Sequence, residues 1–161
     1  MNVEKKSDEE KNSIEEIKHW CAYQERCRKE VREKIFSLLP EITKERSEEI
    51  LNQLSEENYV NEERYALAFV SGKFRIKKWG KIKIRMMLKQ KQIQEPIIRN
   101  ALESIEESAY LETIRSMLET KNKFLTKEKS KIQQHYKLLR FAQSRGFETD
   151  LILEILREKE K

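Results

Sequence analysis

The chain has 161 residues, a formal net charge of +5, 39% charged and 37% hydrophobic residues, and only 3 glycines and 2 prolines. So few turn-forming residues argue against a β-sandwich or barrel, and so small an apolar fraction argues against one deep core. Helices joined by short polar loops around a thin core satisfy both limits.

Residues 1–13 are polar apart from Met1 and Val3, which predicts a disordered tail. Helical periodicity starts at Ile14, where Ile14, Ile17 and Cys21 share a face with Trp20 beside them. Val31, Ile35, Leu38 and Leu39 form the next stripe, ended by Pro40, and Ile50, Leu51 and Leu54 form a third. Asn61 reads as a helix N-cap, with Glu62 and Glu63 favoured at the positive end of the helix dipole. Tyr65, Ala68, Phe69 and Gly72 are the expected inner face of that helix. Gly80 ends a connecting loop, after which Ile84, Met87 and Leu88 face inward. Glu95-Pro96 opens another helix, with Ile98, Ala101, Leu102 and Ile105 as its stripe.

Leu111, Ile114 and Leu118 define the following helix. Residues 121–131 read as a polar, basic connection with Thr126 as a cap. His135, Leu138, Leu139 and Ala142 continue the pattern until Gly146, which is placed to end the helix with positive φ. Thr149 or Asp150 caps a last helix whose stripe is Ile152, Ile155 and Leu156.

MLKQKQIQEPIIRNAL (87–102) and FAQSRGFETDLILEIL (141–156) align without a gap at an offset of 54. Ile93 meets Phe147, Ile97 meets Leu151, and Leu102 meets Leu156; residues 31–54 resemble them more loosely. A period near fifty residues marks a repeat array, whose units touch mainly their neighbours. The expected organisation is all-α: a tail over 1–13, then helical units over 14–60, 61–108 and 109–161, in an elongated and curved array.

Between Gly72 and Lys91 stand nine cations and no acid: Lys73, Arg75, Lys77, Lys78, Lys81, Lys83, Arg85, Lys89 and Lys91. These carry +9, so the other 141 residues sum to −4, and the basicity is local. A local cationic patch points to a polyanion or an acidic protein surface. Lys81, Arg85 and Lys89 recur every four residues and form a ridge, a spacing that destabilises an isolated helix unless an anion answers it. Phe74 and Trp79 could stack on bases, although packing the loop onto the body is the commoner role. The helix start after Gly80 offers backbone N–H groups to a phosphate. A second basic run, Lys121, Lys123, Lys127, Lys129 and Lys131, is interrupted by Glu128 and is equally well explained by solubility.

Catalytic patterns are missing. His19 and His135 lack metal-ligand spacing, no Gly-rich phosphate loop exists, and Glu62 and Glu63 point about 100° apart on a helix. Cys21 and Cys27 cannot complete a four-ligand zinc set and read as reduced, small apolar residues. With no signal peptide and no run able to cross a bilayer, the expectation is a cytoplasmic protein that is not an enzyme and needs no cofactor.

NYVNEERYALAFV (58–70), Gly80, IRMMLKQKQI (84–93) and the RGF of 145–147 together resemble the RecX family of RecA regulators. The resemblance covers about residues 20–158 and is most specific over 58–102, through Tyr59, Arg64, Tyr65, Ala66, Gly80, Leu88, Ile93, Gly146 and Phe147. It implies three tandem three-helix repeats that lie in the groove of the RecA recombinase filament on DNA and inhibit strand exchange, ATP hydrolysis and coprotease action in the SOS response. No cofactor is needed for such a role, and the thin core and one-dimensional stacking permit a monomer. Arg64 is open to a surface role or a capping role. Gln92 stands where the family usually has Gly; positive φ costs Gln more, so the turn before Ile93 is expected to differ. Two alternatives stand beside this reading: a stand-alone nucleic-acid-binding module, and a helical adaptor for an acidic protein.

Overall fold

The computed structural model describes residues 2–127 and 130–161; Met1 of the expected tail and Glu128 and Lys129 of the second basic run lie outside them. Among the described residues every regular element is a helix. They are α1 (Asn2–Tyr23), α2 (Arg28–Leu38), α3 (Lys44–Glu56), α4 (Glu62–Arg75), α5 (Lys81–Gln90), α6 (Glu95–Glu103), α7 (Glu107–Lys123), α8 (Lys131–Ser144) and α9 (Thr149–Glu158).

The helices pack in threes. α2 holds α1 and α3; α4, α5 and α6 contact one another; so do α7, α8 and α9. The accessible surface is 11008 Å², against about 8500 Å² for a compact chain of this mass. The excess is that of an elongated array. No helix among the described residues is long and apolar enough to cross a membrane.

Most stripes read from periodicity are buried. Ile17, Ile35, Leu51, Ile84, Leu88, Ile98, Ile114 and Ile152 are fully enclosed, each contributing about 1.5–3 kcal/mol relative to exposure. Four expectations are corrected. The polar tail is helical from Asn2, and Glu10 on it pairs with Arg46 of α3, so an ion pair and helix propagation from the packed Ile17 turn replace apolar anchoring. On α4 the core face is Tyr65, Ala66, Val70 and Phe74, while Ala68 is exposed; the face is rotated because Phe74 must reach Tyr110. α7 runs on through Lys123, and Ser130, not Thr126, caps α8 by accepting from the Gln133 N–H. Glu148 holds the N-cap position of α9, one residue before Thr149.

Asn61 caps α4 by accepting from the Arg64 N–H at 2.9 Å, as expected. Gly146 has φ +90°, also as expected. Gln92 has φ +60°, so the turn before Ile93 keeps the glycine conformation without the glycine. The Ile93 N–H reaches the Leu88 carbonyl at 3.1 Å, as the Phe147 N–H reaches that of Ala142 at 3.2 Å. These closures satisfy carbonyls that a helix end leaves open, and that requirement overrides the side-chain preference.

Candidate nucleic-acid interface

The nine cations of 73–91 come from the last turn of α4, the connection to α5, α5 itself and, for Lys91, the C-cap that follows it. The structure does not gather them into one open face. Arg85 and Lys89 both pair with Glu95 at the start of α6, Lys89 at 3.6 Å. Lys91 pairs with Glu30 of α2 at 3.0 Å, and this hydrogen bond is the main cause that raises the Lys91 pKa. The Lys81–Arg85–Lys89 ridge therefore finds much of its counter-charge within the chain.

Three more cations lie over aromatic rings. Lys73 sits 4.8 Å and Lys83 4.3 Å from the Trp79 ring centroid, and Lys73 is also 5.3 Å from Phe69. Lys81 is 4.8 Å from Tyr110. Such contacts hold an ammonium at a modest gain of roughly 0.5–1 kcal/mol at exposed sites. Arg75, Lys77 and Lys78 remain exposed, and no side-chain hydrogen bond or ion pair engages them among the described residues. Lys78 takes a left-handed φ of +56°, which turns the chain sharply before Trp79.

The two aromatics of this stretch pack inward. Phe74 is 9% exposed and lies 5.8 Å from Tyr110, whereas Trp79 is half-buried against the core. Phe74 is closed to a base, and the half-buried Trp79 ring carries Lys73 and Lys83 over it.

The phosphate cradle expected at the start of α5 is occupied by the protein itself. The Gly80 N–H donates to the Arg145 carbonyl at 2.7 Å, Lys81 N–H to Tyr110 Oη at 2.9 Å, and Ile82 N–H to the Gly146 carbonyl at 3.1 Å. A Cβ on Gly80 would overlap the Gly146 carbonyl, and one on Gly146 would overlap Lys83. Backbone meets backbone here, so the sequence needs glycine on both sides. Tyr110 Oη in turn donates to Glu148 at 2.6 Å. Burial, then that bond, push its pKa above the ordinary phenol range.

Arg64 resolves as a connector. Its guanidinium donates to Glu25 at 2.6 Å and to the Asn58 carbonyl at 2.9 Å, tying α4 to the segments before it. Cys21 and Cys27 are buried free thiols; burial pushes the Cys21 pKa up to about 11. His135 lies 3.5 Å from Glu160 at the surface. No three His, Cys, Asp or Glu side chains among the described residues are grouped as metal ligands.

The model of the RecX second three-helix domain matches residues 61–102, the span of α4–α6. The regulatory protein RecX of Neisseria meningitidis is 30% identical over 112 residues, covering 68% of this chain and 67% of that protein. The chain belongs to the RecX family. The regulatory protein RecX of Clostridium perfringens is 32% identical over 105 residues, 65% of this chain and 49% of that protein. Crystalline RecX from Lactobacillus salivarius superposes with a TM-score of 0.83 at 26% identity, covering 94% of this chain and 97% of that one. The chain spans about half the length of the Bacillus and Clostridium RecX proteins it matches. RecX relatives are named as regulatory proteins, not as enzymes, and the helical fold described here is the RecX fold.

Sequence reasoning missed two kinds of residue at this site. Glu30 and Glu95 stand outside the acid-free stretch, yet they neutralise part of it. Glu95 had a local signal, since it begins the next helix at a hairpin distance from Arg85. Glu30, 61 residues from Lys91, had none.

Proposed function

We propose that this protein regulates recombination by binding the RecA recombinase filament and the DNA within it, modulating strand exchange, ATP hydrolysis and coprotease activity. The observation that carries the reading is the match to crystalline RecX over 94% of the chain, in a family of regulatory proteins. The elongated helical array supports it, because such a body can lie along a filament and make several weak contacts whose avidity multiplies. The cations of this stretch left with neither an acid nor a ring, Arg75, Lys77 and Lys78, supply the anionic-partner contact. The expected units are 14–60, 61–108 and 109–161, with the middle one central to that contact. The protein acts in the cytoplasm, as a monomer and without a cofactor.

The test is RecA ATP hydrolysis on single-stranded DNA, titrated with this protein. A changed rate at substoichiometric ratios is expected. An unchanged rate at several-fold molar excess would overturn the filament reading.

A further inference from the structure

Two equivalent grooves flank the middle three helices. Ala66, Val70 and Phe74 of α4 correspond in burial to Tyr110, Ile114 and Leu118 of α7, an offset of 44. That register places Gly72 on Ser116, Ile76 on Thr120 and Lys77 on Lys121, while the offset of 54 places Met87 on Phe141. These matched residues line two open grooves, of about 560 Å³ on α4–α5 and about 650 Å³ on α7–α8.

The grooves share a shape and differ in how their charges are answered and in the rings they expose. In the first, acids hold part of the charge: Glu30 holds Lys91 and Glu25 holds Arg64, while Lys73 lies over Phe69 and Trp79 and Lys77 stands exposed on its wall. The second has Glu112 as the one acid among its lining residues, beside Lys78 and Lys121. Its aromatic wall is Phe141, with Lys121 Nζ at 5.0 Å and Arg145 Cζ at 5.3 Å from the ring centroid. Phe124 lines the same groove and is 77% exposed. Arg140 and the exposed Tyr136 continue the surface on the other side of Phe141.

We propose that the α7–α8 groove binds single-stranded nucleic acid. A base stacks on the exposed Phe124 ring, with the half-buried Phe141 as the wall beside it, while Lys78, Lys121 and Arg145 meet phosphates. An exposed ring beside a cation is the arrangement that holds an unpaired base with its backbone, since a duplex keeps its base faces hidden. This rests on the DNA-binding part of the proposed function and locates it on the last three helices, with Lys78 bridging from the middle ones.

The experiment is fluorescence anisotropy of a labelled oligothymidylate of roughly 20 nucleotides with the full chain, over a series of salt concentrations. Phe124→Ala is expected to weaken binding at least fivefold with the salt dependence unchanged. Lys121→Gln with Arg145→Gln is expected to lower the slope of log K against log salt by about 1.4, for two phosphate contacts on a single strand. Lys44→Gln with Arg99→Gln removes as much charge from exposed positions elsewhere and is expected to leave affinity within about twofold. Circular dichroism checks that each variant is folded. If the wild-type chain binds and both groove variants bind equally well, the groove assignment is wrong and the DNA reading stands. If the wild-type chain does not bind the oligonucleotide, both fail. Competition by polyglutamate as effective as by unlabelled oligonucleotide would make the groove a site for acidic protein and overturn the proposal.

Discussion

The two junctions of the array are made by different forces. Between α1–α3 and α4–α6 the contacts are mostly charged: Arg64 with Glu25, Lys91 with Glu30, and Lys29 Nζ with the Gln90 carbonyl at 3.1 Å. The buried residues on either side fall into separate apolar clusters, and Cys27 alone among the described residues of the first three helices joins the larger one. Between α4–α6 and α7–α9 the apolar cluster is continuous, through Phe74, Tyr110 and Phe147, and two glycine backbones touch. Exposed ion pairs contribute about 0–1 kcal/mol each and weaken with salt. A glycine contact responds little to salt and tolerates no added side chain. The first junction is therefore the salt-sensitive one, and the second is the one fixed by close backbone packing.

The contrast is most severely tested at Gly80. Gly80→Ala would force the α5 start away from the α8–α9 turn and is expected to destabilise by about 3 kcal/mol, read from urea denaturation. A loss under about 1 kcal/mol would mean that the backbone contact does not hold the junction. Tyr110→Phe removes both the acceptor for the Lys81 N–H and the donor to Glu148, and is expected to cost about 2 kcal/mol.

Tyr110 also gives the second junction a pH signature. Its folded pKa is raised above the ordinary phenol value of about 10 by burial and by the bond to Glu148. The associated stability is thus complete below the unfolded phenol pKa and is lost as pH rises toward the folded one. Burial raises the Tyr65 pKa as well, so ultraviolet titration should show two tyrosines that ionise only as the protein unfolds in alkali, and Tyr110→Phe should leave one.

Smaller effects sharpen the picture. Gln92→Gly relieves the left-handed strain and is expected to stabilise by roughly 0.5–1 kcal/mol, seen as a higher midpoint of thermal unfolding. At the first junction, Glu25→Gln is expected to cost roughly 0.5 kcal/mol at low salt and nothing measurable near 1 M. An effect that persisted at high salt would show that this junction is not held by charge.

Helix positions were legible because apolar periodicity is local, and the inner faces of α6 and α9 could be read residue by residue. The α4 face was misread by rotation: Ala68 and Gly72 fit the spacing as well as Ala66 and Val70 do, and only contact with Phe74 and Tyr110 selects between them. Gly80 and Gly146 were each legible as turn residues, but not as partners, because nothing local records that two glycines 66 residues apart touch.

The sequence by itself determined the helical class, the near-fifty-residue period, the family likeness and the acid-free stretch of 72–91. Each of these depends on residues near one another along the chain. Tertiary structure decided which cations keep their charge unanswered. Glu30 and Glu95 reach Lys91, Arg85 and Lys89 through folding, the α5 N–H groups close onto the α8–α9 turn, and Lys78 is carried to the wall of a groove built from α7 and α8. Coulomb attraction acts through space, so a patch read along the chain can be cancelled by acids distant in sequence.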